Sequence, residues 1–329
     1  MTAPPALEVR DLTVRLPVRG STAVPAVDGV SFSLSRGERL GLVGESGAGK
    51  SLTTLALPGL LPPGIEIGAG SSVRVEGEEL VGASARRLRA IRGGSLAMVF
   101  QDPANALNPA LTVGAQLREV LWLHRRLRGD AARNEALRLL DEVGLSEVDR
   151  VYGSPPHRLS GGMRQRACIA IALAGDPAVL VADEPTTALD VTVQARILEL
   201  LVRLSEERRL SLLLVSHDLA VVARSCHRVA VLYAGRVVEE GPVDRVLVAP
   251  RHPYTAALLA ARPRVEGPRA VPTPIAGSMP LPGRWPTGCR FHPRCPEALP
   301  PCRTAYPPLE GEGADRVACH LHSATRGAV

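Results

Sequence analysis

RLGLVGESGAGKS, residues 39–51, decides the fold. A short apolar run enters a glycine-rich turn, and SLTTLALPG (51–59) then opens a helix. GESGAGKS matches G-x-x-x-x-G-K-[ST], the phosphate loop, in the strand–loop–helix setting the motif requires. Glycines allow backbone N–H groups to curl around phosphate oxygens, and the helix start adds its positive end. The candidate nucleotide ligands are therefore Gly44, Glu45, Ser46, Gly47, Ala48, Gly49, Lys50 and Ser51. Lys50 would reach the β- and γ-phosphates, and Ser51 would hold Mg²⁺. Of the 39 basic residues, Lys50 is the single lysine, the others all being arginine. A lone lysine is informative because arginine cannot replace a compact ammonium.

Working outward, LEVRDLTVRL (7–16), VSFSL (30–34) and LAMVFQD (96–102) read as strands, and VRVEGEEL (73–80) as a hairpin. PAVLVADE (177–184), LSLLLVSHD (210–218) and VAVLYAGRVVEEG (229–241) are further strands, with the amphipathic helix VQARILELLVRLSEERR after the first. Short apolar strands alternating with helices imply a parallel α/β core. Residues 104–165 turn helical, with apolar residues three and four apart. Beyond about residue 250 prolines crowd, so a loop-rich C-terminal region with little core is expected.

At 329 residues the chain exceeds one average domain. It contains no run long and apolar enough to cross a membrane, and its N-terminus lacks the basic and apolar regions of a signal peptide. The net charge of +6 is spread along solvated helix faces such as ARRLR (85–89). Aromatic residues make up only 3%, too few for the stacking platforms of single-strand binders, so no nucleic-acid partner is expected.

VLVADE (179–184) delivers two carboxylates to the end of an apolar strand. Asp183 would hold Mg²⁺ through water and Glu184 would polarise the attacking water. LSGGMRQR (159–166) offers a second anion site, a Ser-Gly-Gly turn opening a helix. A chain with one γ-phosphate cradle has use for another if the second serves a nucleotide held by a different subunit.

LSGGMRQR resembles the signature of ABC-transporter ATPases, and the other elements follow in that family's order. Gln101 in VFQDP resembles the Q-loop, a further Mg²⁺ contact, and ALD at 188–190, with Asp190, the D-loop. His217 in VSHD resembles the switch histidine. MVFQDPANALNP, ADEPTTALDVTVQARIL, HPYTAALLAARPR and the cysteine-bearing tail are similar to the oligopeptide/dipeptide importer branch, and PTTALDVT to the first of its two ATPases.

The resemblance implies a P-loop NTPase (RecA-like) α/β core with an antiparallel β subdomain and a helical subdomain at about 104–165. Residues 1–250 would be the ATPase domain and 251–329 the transporter-type C-terminal region. It also implies ATP hydrolysis coupled to peptide import, peripherally on the cytoplasmic side of the membrane. A second ATPase subunit, two permeases and an extracytoplasmic substrate-binding protein would be partners. Two ATPs would be sandwiched head to tail, with Ser160, Gly161 and Gly162 completing the partner's site. Nickel, glutathione or another small solute are alternative cargoes in the same branch, and a non-transport ABC ATPase is a more distant reading. One departure stands out: Leu16 occupies the place of the adenine-stacking aromatic.

Cys168 and Cys226 lie in apolar surroundings and read as buried. Cys289, Cys295, Cys302 and Cys319 follow the spacing C-x5-C-x6-C-x16-C, which fits neither zinc ribbons nor ferredoxins. The importer resemblance implies a [4Fe–4S] cluster on these four. Zn²⁺ stays open because His292, His320 and His322 are spare ligands, and free thiols are the third option.

Overall fold

The apolar runs form strands and the amphipathic runs form helices in a computed structural model that describes residues 4–18, 20–187, 189–261 and 274–323. The chain gathers into two units, neither continuous in sequence. One comprises residues 1–8, 33–39 and 73–215, the other 9–32, 40–72 and 216–329.

In the first unit the strands Leu96–Val99, Val179–Asp183 and Ser211–Ser216 are parallel, with Met98 opposite Val181 and Val181 opposite Leu213. Val179–Asp183 is buried throughout, as a strand covered on both faces must be, and so reads as an unbroken apolar run. The helices Gly161–Leu173 and Val191–Arg208 supply the crossovers. The expected helical insert is Val113–Arg125, Gly129–Glu142 and Val148–Gly153. Thr112 caps the first of these by accepting the Ala115 N–H; Leu117 and Leu121 of that helix and Leu139 and Leu140 of the second are buried. The expected hairpin at 73–80 is present, with Arg74 opposite Glu79.

In the second unit Arg39–Val43 runs parallel to Arg228–Tyr233. The latter forms a hairpin with Arg236–Pro242 through Ala234 and Gly235, whose φ angles are 44° and 81°. Leu7–Val18 runs past Pro17, where the expected strand stops; Pro17 is exposed, and a strand tolerates proline where its N–H is not needed.

The C-terminal region is better anchored than a tail with little core. Asp315–Val317 adds to the sheet beside Arg236–Pro242, pairing Val317 with Glu239 and Arg316 with Glu240. Phe291, 1% exposed, packs edge-on to Tyr233 at 5.2 Å and against Tyr254 at 5.4 Å between ring centroids. The few aromatics are concentrated here, where stacking adds to area burial. Glu239 and Glu240, fully buried, are neutralised by Arg245 and by Arg228 and Arg316 respectively. No helix among the described residues is long and apolar enough to cross a membrane.

Candidate active site

The phosphate loop follows the buried strand Arg39–Val43 and leads into the helix Lys50–Ala56. Gly44 is obligatory, because a Cβ there would stand 2.3 Å from the Leu232 carbonyl oxygen. Gly49 caps the helix at φ 106°, a left-handed value that favours glycine, and no side chain caps the first turn. A helix start of this kind, preceded by glycine, is the setting in which backbone amides receive an anion. Lys50 is 6% exposed, and its Nζ donates to the carbonyls of Gly44 (2.8 Å) and Glu45 (3.2 Å). These bonds hold the ammonium over the loop at the place where phosphate would be met. Ser51 is exposed one residue further on. In the same unit His217 lies exposed after Ser211–Ser216, in a turn fixed by Asp218, whose carboxylate accepts the Ala220 N–H and caps the next helix. Leu16 is half-buried near the end of its strand.

The first unit holds the carboxylates. Asp183 ends the buried strand at 5% exposure. Glu184 turns out of it at φ 46°, a left-handed conformation fixed by its N–H donating to Val215 O at 3.1 Å. Its Oε2 accepts from Gln101 Nε2 at 3.2 Å and from Thr187 Oγ1 at 3.0 Å. The expected base and the Q-loop glutamine are therefore in direct contact. Thr187 was not anticipated, although it lies within the quoted ADEPTTALD; a hydroxyl three residues after a carboxylate in a tight turn was the available signal.

Ser160 caps the helix Gly161–Leu173, its Oγ accepting the Met163 N–H at 3.3 Å. Ser160 is exposed at that helix start, as an anion cradle for an outside ligand requires. Asp190 caps Val191–Arg208 by accepting the Val193 N–H at 2.9 Å, a structural duty beside its expected place in the D-loop. Ala188 of that loop lies outside the described residues, as do residues 262–273 of the quoted tail motifs.

The four tail cysteines lie within electrostatic reach of one another. Cys289 N–H donates to Cys302 O at 2.8 Å, and charge on Cys289, Cys295 or Cys302 would be felt at Cys319. Burial raises the thiol pKa of Cys289 and Cys295 and pushes Cys319 up to about 11. Backbone N–H groups of Phe291 and His292 at Cys289, of Glu297 at Cys295 and of Leu321 at Cys319 act in the opposite sense. Yet among the described residues no group of three or more His, Cys, Asp or Glu could hold a metal ion. The expected metal centre is not formed among the described residues, and the spare histidines are otherwise engaged. The ring nitrogens of His292, His320 and His322 meet the backbone carbonyls of Cys289, Ala305 and Arg251 at 2.9, 2.9 and 2.8 Å. Cys168 and Cys226 are buried as expected, and burial pushes Cys168 up to about 12.

Comparison with known proteins agrees with this architecture. Residues 27–187 match the ABC transporter family, and residues 238–302 match the oligopeptide/dipeptide transporter C-terminal region. A putative peptide import ATP-binding protein of Brucella abortus is 49% identical over 315 residues, 96% of this chain and 94% of that one. The chain belongs to the ABC-transporter ATP-binding proteins. The oligopeptide transport ATP-binding protein AppD of Bacillus subtilis is 45% identical, covering 96% of each chain. OppD of Salmonella typhimurium is 46% identical, over 94% of this chain and 92% of its own. Among solved structures, a dimeric ATP-binding cassette bound to ADP and Pi superposes with a TM-score of 0.64. It is 29% identical and covers 72% of this ABC ATPase and 98% of its own chain.

Proposed function

We propose that this chain is the ATP-binding and ATP-hydrolysing subunit of an importer for peptides, peripheral on the cytoplasmic side of the membrane. The observation that carries the reading is the double family match: an ABC transporter segment followed by an oligopeptide/dipeptide transporter C-terminal region in one chain. Relatives named for peptide, oligopeptide and dipeptide transport span nearly its whole length. Such a subunit works with membrane permeases and, through them, with a substrate-binding protein.

Residues 44–51 bind the ATP phosphates, and Leu16 contacts adenine by apolar packing. Ser51, Gln101 and Asp183 would hold Mg²⁺, which neutralises charge on the phosphates. Glu184 orients and polarises the attacking water; the hydrogen bonds from Gln101 and Thr187 fix its carboxylate beforehand. His217 contacts the γ-phosphate side. Ser160, Gly161 and Gly162 complete the site of a second, non-identical ATPase subunit, so closure of the heterodimer assembles the catalyst. Phosphoryl transfer asks mainly for positioning and charge stabilisation, which a closing interface supplies. Cys289, Cys295, Cys302 and Cys319 would be the ligand set of a [4Fe–4S] cluster. Their presence together in the C-terminal region, within electrostatic reach of one another, supports this. Iron and acid-labile sulfide in anaerobically purified protein test the cluster, and their absence removes it.

The test of function is ATPase activity of the chain reconstituted with its permeases, second ATPase and binding protein. Stimulation by binding protein loaded with di- or oligopeptides is expected. Stimulation by nickel chelates or glutathione alone would reassign the cargo, and none by any cargo would refute transport.

A further inference from the structure

Glu45 fills a position that the phosphate-loop pattern leaves open to any residue, and here both its amide and its carboxylate are taken. Its N–H donates to the Tyr254 hydroxyl at 2.8 Å. Its carboxylate receives the Arg294 guanidinium in two-pronged fashion, Nη1 to Oε2 at 2.8 Å and Nη2 to Oε1 at 3.1 Å. Arg294 donates its Nε to Ala276 O at 2.7 Å, and its Nη1 lies 3.4 Å from Tyr233 Oη. The Arg294 side chain is 6% exposed and that of Glu45 27%. Arg294 ends the short turn His292–Arg294, directly before Cys295 and after Phe291 of the aromatic cluster. Met279 also lies beside the loop, its Cγ 3.8 Å from where a Cβ on Gly47 would be.

A carboxylate in the loop that receives a polyphosphate is an electrostatic liability. Partly buried charges are weakly screened, so a bare Glu45 would repel the incoming anion. A paired, buried arginine removes that repulsion and orders the loop before nucleotide arrives, lowering the cost of binding. We propose that Arg294 is a positioning residue for nucleotide binding: it neutralises Glu45 and holds the phosphate loop in its receptive form, so that the C-terminal region sets nucleotide affinity.

The test uses the purified full chain, with Mg-ATP and Mg-ADP as probes in equilibrium titrations. Arg294→Ala should weaken both about tenfold, the equivalent of ~1.4 kcal/mol. Adding Glu45→Gln to Arg294→Ala should recover most of that loss, because the unneutralised charge is gone. A merely structural arginine would show no such rescue, since the second change restores no contact. Hydrogen exchange of residues 44–51 should be faster in Arg294→Ala than in the parent. Unchanged nucleotide affinity in a folded Arg294→Ala protein overturns the proposal, and so does a double variant no better than the single one. Should Arg294→Ala not fold, Arg294→Gln, which keeps a donor for Ala276 O, is judged by the same two criteria.

Discussion

Lowering the pH should weaken the C-terminal region through one buried imidazole, His252. The residue is 1% exposed and caps the helix Pro253–Ala260, its Nδ1 accepting the Tyr254 N–H at 3.0 Å. Its own backbone N–H donates to Glu239 Oε2 at 3.0 Å. A ring nitrogen that accepts an amide N–H cannot also carry a proton, so the fold needs the neutral ring. Burial, aided by the nearby charge of His322, holds its pKa down at about 3, against an ordinary 6.5 in the unfolded chain. Between those two values the unfolded state binds the extra proton, so stability rises with pH there. His252's contribution is therefore complete above the unfolded pKa and is lost as pH falls toward the folded one. At ~1.4 kcal/mol per unit the loss reaches about 2 kcal/mol by about pH 5.

His252→Asn isolates this effect. The asparagine oxygen can keep the cap, and the side chain does not titrate. Any packing loss it causes is the same at every pH. Of the two tryptophans, Trp122 is 42% exposed and Trp285 lies in the C-terminal region, so Trp122→Phe leaves a reporter in the right place. Urea unfolding of the full chain at about pH 7.5 and about pH 5, with and without His252→Asn, measures the difference. The stability gap between parent and variant should shift by about 2 kcal/mol in favour of the variant at the lower pH. Parallel pH profiles would refute the reasoning.

Three further outcomes are expected. Glu184→Gln should bind ATP yet lose roughly 10²- to 10⁴-fold in single-turnover hydrolysis, and parental rates would remove Glu184 from its role. Gly44→Ala drives a methyl to 2.3 Å from Leu232 O, so calorimetry should show nucleotide binding lost while circular dichroism stays native. Phe291→Ala should cost about 3–5 kcal/mol on unfolding, and a near-zero change would mean the aromatic cluster does not anchor the C-terminal region.

The α/β core was legible because its signals are local. The parallel strands are short apolar runs, and the loop is a fixed pattern between a strand and a helix. The position of Glu184 was legible for the same reason, standing at the end of such a run. Thr187 was less so, since a hydroxyl in a turn has many ordinary uses. The anchoring of the C-terminal region was hidden by its scarcity. Aromatic content of 3% reads as an absence, whereas Tyr233, Tyr254 and Phe291 are far apart in sequence and meet only in the fold. Spacing likewise brought the four cysteines to notice but not the turns and hydrogen bonds that set their sulfurs.

Glu45 carries that reasoning one step further. Pattern matching assigns weight to the fixed positions of a motif and treats the remainder as filler. The fixed positions of the phosphate loop are those whose backbone or ammonium meets the ligand, and any phosphate loop needs them. An open position is therefore where one branch of a family can attach something of its own. Here the attachment is a tyrosine two residues after the buried His252 and an arginine between two cysteines, both gripping the same loop residue. The HPY triplet at 252–254 then has a physical account in this chain. His252 caps the helix, Pro253 occupies its first turn without needing an N–H, and Tyr254 carries the hydroxyl to the Glu45 amide. The triplet thus places the Tyr254 hydroxyl against the amide of Glu45, in the loop proposed to bind nucleotide.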